Sequence, residues 1–410
     1  MPQRVAAPQG AQGVIGTLRG AIGSFGKRVS GDRATRSRSR LNGPFYLPQL
    51  LAALLIVAFG AVVIYTASLT IAEASFVRQL AGIAIGLVCA WGMYRYDYRA
   101  LANMSTALLV ADVVLMLLPS VPGFGVSAMG MTGWVKIPLV GLRFQPSELA
   151  KLVTIFLMAS LGAEYNGRID SLRDYLKLCG ILAVPFVLIL TQPDLGTGLI
   201  VLVTGASIII CSGAKRTWVI ATIAGIVALA AIVVATSMTE GLPHLLKTYQ
   251  LNRLIVFVDP SVDPSGDGYN LQQAKIAVGS GGLLGKGFGN ATQAAGGFLP
   301  EAHTDFVFAL LAEEFGFVGS VVLLGLFATM ILSTILLAQR VESPFGKLVL
   351  AGCATMWSFQ LLQNVGMCIG IMPITGIPLP FVSFGSSSRV TQLNSVGMVQ
   401  SVWHHIVKAG

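Results

Sequence analysis

The sequence predicts an all-α, polytopic integral membrane protein of about ten transmembrane helices. Two observations carry that prediction. Of 410 residues, 54% are hydrophobic and only 11% charged, far too few charges to coat a water-soluble globule. Apolar runs of about 20 residues, which at about 1.5 Å rise each cross a hydrocarbon core of about 30 Å, recur along most of the chain.

Taken in order, residues 1–46 come first, rich in Arg, Ser and Gly without an apolar run. They are expected to form a disordered basic cytoplasmic tail, neither a signal peptide nor a fold. The tail holds eight cations, Arg4, Arg19, Lys27, Arg28, Arg33, Arg36, Arg38 and Arg40, against one acid, Asp32. Beside a first span such charge orients the chain and attracts anionic lipid, so no nucleic acid is expected as a partner. The membrane domain then covers 47–410, with spans expected at 47–70, 77–94, 101–119, 146–161, 172–190, 195–212, 217–236, 304–337, 346–372 and 388–407.

Cations are retained on the cytoplasmic side. A cytoplasmic tail places Arg95, Arg99, Arg168, Arg173, Lys215, Arg216, Arg340 and Lys347 all in inner turns. Both termini are therefore expected inside. The segment 119–145, and a long extracytoplasmic loop at 238–303 between helices seven and eight, are expected outside. The five cysteines, Cys89, Cys179, Cys211, Cys353 and Cys368, lie in or beside apolar spans without metal-ligand spacing, which reads as packing.

The outer side is where chemistry is sought. Its two long segments hold Lys136, Arg143, Lys247, Arg253, Lys275 and Lys286; an anionic ligand is one reading and ordinary solvated charge the other. The glycine-rich stretch 279–290 fails as a phosphate loop. A Walker loop needs glycine where Ser280 stands and Ser or Thr where Gly287 stands, and the dinucleotide pattern needs glycine where Asn290 stands. A flexible or re-entrant loop beside a lipid-facing groove fits it better.

Asp305, at the head of the eighth span with His303 two residues before it, has two readings. It is either a helix N-cap or a carboxylate held where water meets lipid, able to take a proton from a sugar hydroxyl. Glu313 and Glu314 lie about 12 Å deeper on a regular helix. They cannot meet the same substrate atom, and pairing with a cation or with helix backbone is their expected role. Glu148 and Lys151, three apart, share a helical face and are expected to enter the membrane as an ion pair. Asp194 opens the sixth span and is read as a cap or a site residue. Trp134 is read as an interfacial anchor or a platform for a sugar.

Four ordered segments, Phe144 to Lys151, Gln192 to Thr197, Leu299 to Phe306 and Pro378 to Gly385, strongly resemble the SEDS family of shape, elongation, division and sporulation proteins. Ala312-Glu313-Glu314 and the stretch from Lys275 to Gly281 look more like its rod-shape branch. The resemblance implies a peptidoglycan glycosyltransferase of the bacterial cytoplasmic membrane that polymerises lipid II, a disaccharide-pentapeptide on undecaprenyl diphosphate, at the outer face during cell elongation. It implies Asp305 as the essential acid and general base of an inverting displacement. Trp134, Arg143, Glu148, Lys151 and Asp194 fall on positions the family treats as functional, and His303 and Lys275 complete the expected substrate-binding set. It further implies a class B penicillin-binding protein as transpeptidase partner, and a divalent cation, Mg or Mn, on the diphosphate leaving group. Division or sporulation polymerase, lipid flippase and non-catalytic scaffold are the alternatives. The chain departs from the family at Ser386, Ser387, Ser388, Arg389, Thr391, Gln392 and Asn394, a polar last span expected to face a groove or a partner helix instead of lipid.

Overall fold

A computed structural model of the chain describes residues 43–121, 125–128, 131–136, 143–192, 194–239 and 248–409. The expected disordered tail lies outside the described residues, apart from 43–46.

The elements are α1 (Leu47–Thr70), α2 (Phe76–Arg95), α3 (Ser105–Leu117), strands β1 (Gly125–Ala128), β2 (Met131–Lys136) and β3 (Arg143–Phe144), α4 (Pro146–Ala163), α5 (Leu172–Thr191), α6 (Leu195–Cys211), α7 (Arg216–Met238), α8 (Thr248–Val258), α9 (Asp267–Ser280), the one-turn α10 (Thr292–Ala295), α11 (Val307–Ala338), α12 (Pro344–Ile369) and α13 (Ser386–Ala409). Among the described residues, α1, α2, α4, α5, α7, α11 and α12 are long and apolar enough to cross a membrane, while α6 and the α3 region are shorter apolar helices. The expected outer loop 238–303 carries α8, α9 and α10. The segment 119–145, which the sequence reads as plain loop, carries a small antiparallel sheet of order β1-β2-β3. Its backbone groups find partners across the ribbon, where no helix is long enough to supply them.

Polarity explains why α13 fails as a lipid-facing span. It packs most extensively along α2, and Arg389, Thr391, Gln392, Ser395, Gln400 and Ser401 are all buried. Gln392 accepts from Trp357 Nε1 at 3.0 Å and donates to Gln360 at 2.9 Å. Gln400 accepts from the Tyr46 amide at 2.8 Å. Gln392 and Gln400 thus find their partners on neighbouring helices, as burial away from water favours. At the other extreme, Ser237 is the one buried side chain of α7.

α11 is two helices joined at Gly316, whose backbone sits at φ 66°, ψ −161°. The break frees the Glu313 and Glu314 carbonyls, which accept from the amides of Lys286 and Gly287 at 2.9 and 3.0 Å; Phe317 and Val318 donate back to Gly282 and Leu283 at 2.9 and 3.1 Å. The glycine-rich stretch is therefore a loop docked on a broken helix. Glu313, fully buried, pairs with Lys286 at 2.6 Å and accepts from the Thr292 amide at 2.9 Å, at the head of α10. Glu314 accepts from Thr66 Oγ1 at 2.9 Å. Glu313 does what the sequence reading expects, holding a cation and backbone, whereas Glu314 binds a hydroxyl on α1. A Cβ at Gly316 would stand 2.3 Å from the Gly285 amide nitrogen and 2.7 Å from the Leu283 carbonyl. Gly316→Ala is expected to cost at least about 2 kcal/mol from the left-handed backbone and the clash together, read as a lowered unfolding midpoint in detergent.

Candidate active site

The turn at 301–306 precedes α11, which begins at Val307 and not at the expected 304. Phe306 occupies the N-cap position, with no side-chain cap bond. The N-cap reading of Asp305 is thereby overturned. Glu301, at φ 52°, closes the turn on itself: its carbonyl accepts from the Thr304 and Phe306 amides, both at 3.1 Å, and its carboxylate from Thr304 Oγ1 at 2.7 Å.

Asp305 is half-buried. Among the described residues, none donates a hydrogen bond to its carboxylate. Burial pushes its carboxyl up to about 6; Glu301 and, more weakly, Asp194 push the same way, against the guanidinium of Arg253. Bare Gly376 lies alongside, where an added Cβ would stand 3.2 Å from Asp305 Oδ2. A carboxylate with no donor of its own, near neutrality and reaching the surface, has the properties of a general base.

Two further helix starts supply its surroundings. Asp194 caps α6 by accepting from the Thr197 amide at 2.9 Å, and its second oxygen accepts from Gln145 Nε2 at 3.1 Å. Burial raises its carboxyl, opposed by the Thr197 hydrogen bonds and by the charge of Lys151. Lys151 and Glu148, at 2.8 Å with side chains 1% and 5% exposed, form the expected ion pair, and the Lys151 ammonium acts on Asp194 from inside the protein. Glu148, Lys151, Asp194 and Asp305 thus form one electrostatic group in which Asp194 is the link.

The other expected residues have different neighbours among the described residues. The His303 ring is buried, packed on Phe384 with centroids 5.5 Å apart; burial lowers its pKa, against the opposing charges of Glu301 and Glu73. Lys275 is exposed, its stem and ammonium lying over Gly370, the left-handed cap of α12, where a cation complements the helix end. Trp134 is half-buried in β2, paired with Val126. The Arg143 backbone lies in β3, and its side chain is outside the described residues.

Sequence reasoning saw Arg253 only as a loop cation. It pairs with Asp267 at 3.3 Å and is the basic group whose charge reaches Asp305. Reasoning missed Asn364, buried in α12, whose Nδ2 donates to the Asp305 carbonyl at 2.7 Å and the Ile377 carbonyl at 2.8 Å. An amide inside an apolar span was the available signal. As for a divalent cation, among the described residues no group of three or more His, Cys, Asp or Glu is placed to hold one.

The family of FtsW, RodA and SpoVE, described as cell cycle protein, matches residues 47–408. Peptidoglycan glycosyltransferase MrdB of Escherichia coli (strain K12) is 35% identical over 363 residues, covering 87% of this chain and 92% of the relative. Stage V sporulation protein E of Bacillus subtilis (strain 168) is 33% identical, covering 86% of this chain and 95% of the relative. Among solved structures, one described as structural coordination of polymerization and crosslinking by a peptidoglycan synthase complex superimposes with a TM-score of 0.74 at 29% identity, over 89% of this chain and 99% of that one. The rod shape determining protein RodA of Thermus thermophilus gives 0.64 at 28% identity, over 88% and 96%.

Proposed function

Because the chain belongs to the FtsW, RodA and SpoVE family of cell cycle proteins, we propose that it is a peptidoglycan glycosyltransferase polymerising lipid II at the outer face of the cytoplasmic membrane during cell elongation. The elongation role follows the likeness to MrdB and to RodA. The observation that carries the chemistry is Asp305, a carboxylate raised to about 6 with no hydrogen-bond donor among the described residues, just before a helix long and apolar enough to cross a membrane.

In this reading Asp305 takes the proton from the acceptor sugar's 4-hydroxyl as that oxygen attacks the anomeric carbon of the donor MurNAc. The bond from that carbon to the diphosphate oxygen breaks, and the electron pair leaves with undecaprenyl diphosphate. One displacement inverts the centre to a β linkage, and the proton passes from Asp305 to water. Arg253, about one-third exposed, is the described cation best placed to meet the departing negative charge. Lys151 is buried against Glu148, and its charge opposes the effect of burial on the Asp194 carboxyl. Both termini are cytoplasmic in this orientation. The partner is a class B penicillin-binding protein, which cross-links the strands as they emerge; the likeness to a peptidoglycan synthase complex supports that pairing.

Purified protein given labelled lipid II, alone and with its transpeptidase, is expected to build glycan strands that run as a ladder on a gel. Transbilayer movement of labelled lipid without any strand formation would support a flippase and overturn the polymerase.

A further inference from the structure

Among the described residues no hydrogen bond orients the Asp305 carboxylate, so its direction comes from the backbone. In α11 the first helical carbonyl is that of Phe306, which accepts from Ala309 and Leu310. The three carbonyls before it have no helical partner, and each is taken by a different donor. Phe384 N donates to the His303 carbonyl at 2.8 Å, Ser383 Oγ to the Thr304 carbonyl at 2.6 Å, and Asn364 Nδ2 to the Asp305 carbonyl at 2.7 Å.

The same groups also bind the outer loop that follows α12. Asn364 Nδ2 holds the Ile377 carbonyl, and Ser383 Oγ accepts from the Leu379 amide at 2.8 Å. Behind them stands Arg389 of α13, 2% exposed. It donates to the Ser383 carbonyl at 2.5 Å and to the Gln79 carbonyl of α2 at 3.4 Å. Asn364 Oδ1 and Arg389 Nε are buried without a hydrogen bond among the described residues. The arrangement fixes Asp305 from behind while leaving its carboxylate free of donors. Donors on the carboxylate would orient it equally well, but they would stabilise the charged form and weaken the base.

We propose that Asn364 and Ser383 are positioning residues of the transferase, clamping the backbone of 303–305 so that the Asp305 carboxylate is aimed at the acceptor hydroxyl without a partner of its own. This rests on the reading of Asp305 as the base. Displacement by about 1 Å can cost about 10²-fold in rate. Loosening the clamp also lets water reach Asp305, which lowers the pH at which activity is lost. The groups facing Asp305 are Glu301 on its own turn, Asp194 at the head of α6, Arg253 on α8 and Cys368 on α12, and the substitutions remove none of them.

The test measures Ser383→Ala and Asn364→Ala in the full chain for strand synthesis against pH, for KM with lipid II and for thermal unfolding, beside Asp305→Asn. The clamp predicts kcat down about 10- to 100-fold, KM within about twofold, and an acid limb shifted below that of wild type, the smaller Ser383→Ala change leaving the unfolding midpoint nearly unmoved. Two results overturn it: wild-type kcat with an unmoved limb, or a loss of kcat matching only the loss of folded protein. If Asp305→Asn is inactive and both clamp variants behave as wild type, the clamp alone fails. If Asp305→Asn turns over normally, the base assignment fails first.

Discussion

Asp305→Asn is expected to lower strand synthesis by about 10²- to 10⁴-fold, the usual worth of a positioned general base, with lipid II binding within about twofold of wild type. Asparagine keeps the size of aspartate and cannot accept the proton. The change is structurally mild, because Asp305 caps no helix and its carboxylate holds no hydrogen bond among the described residues. The contacts that fix the turn run through backbone carbonyls, which the substitution preserves. Rate and stability should therefore separate. A variant with unchanged turnover, or one that loses activity only because it unfolds, would remove Asp305 from the chemistry.

Lys151→Met is expected to destabilise the protein by about 3–5 kcal/mol, since it leaves the Glu148 carboxylate charged, buried and alone. At 2.8 Å, with side chains 1% and 5% exposed, the pair cannot be screened by water as a surface bridge would be. Glu148→Gln should fail in the mirror sense, stranding an ammonium. The double variant is expected to recover most of the loss, as apolar or neutral replacement of a whole buried pair often does. Its effect on Asp194 is also small, because Lys151 and Glu148 push that carboxyl in opposite directions. Chemical unfolding in detergent reads the cycle; a loss in the double variant equal to the sum of the two single losses would show that the pair is not coupled.

Much of this architecture was legible in the chain. Apolar runs and inner cations mark the spans because hydrocarbon excludes charge, and the described helices fall close to the expected ranges, with α11 starting three residues later than its span. The polar residues from Ser386 to Asn394 pointed to a groove or a partner helix, and α13 packs most extensively along α2. Glu313 could be read because a buried acid must find a cation or amides, whatever the fold. The β1–β3 ribbon was not legible, since its strands are two to six residues long and too short for alternation to be seen. The capping ambiguity also separated only in three dimensions: Asp194 and Asp305 both stand at helix heads, yet only Asp194 reaches an amide of its helix. Nor could spacing show that Asn364, 59 positions from Asp305, holds its carbonyl. Such contacts depend on how α11 and α12 cross.

The most direct test of Asp305 as the base is the pH dependence of single-turnover strand synthesis by the purified protein. A base must be ionised to accept a proton, and burial has raised the Asp305 carboxyl to about 6. Turnover should therefore be full above that pH and fall about tenfold for each unit below it, and Asp305→Asn should show low turnover without that limb. A rate that holds level down to about pH 4.5, the range of an ordinary solvent-exposed carboxylate, or an identical limb in Asp305→Asn, would contradict the assignment.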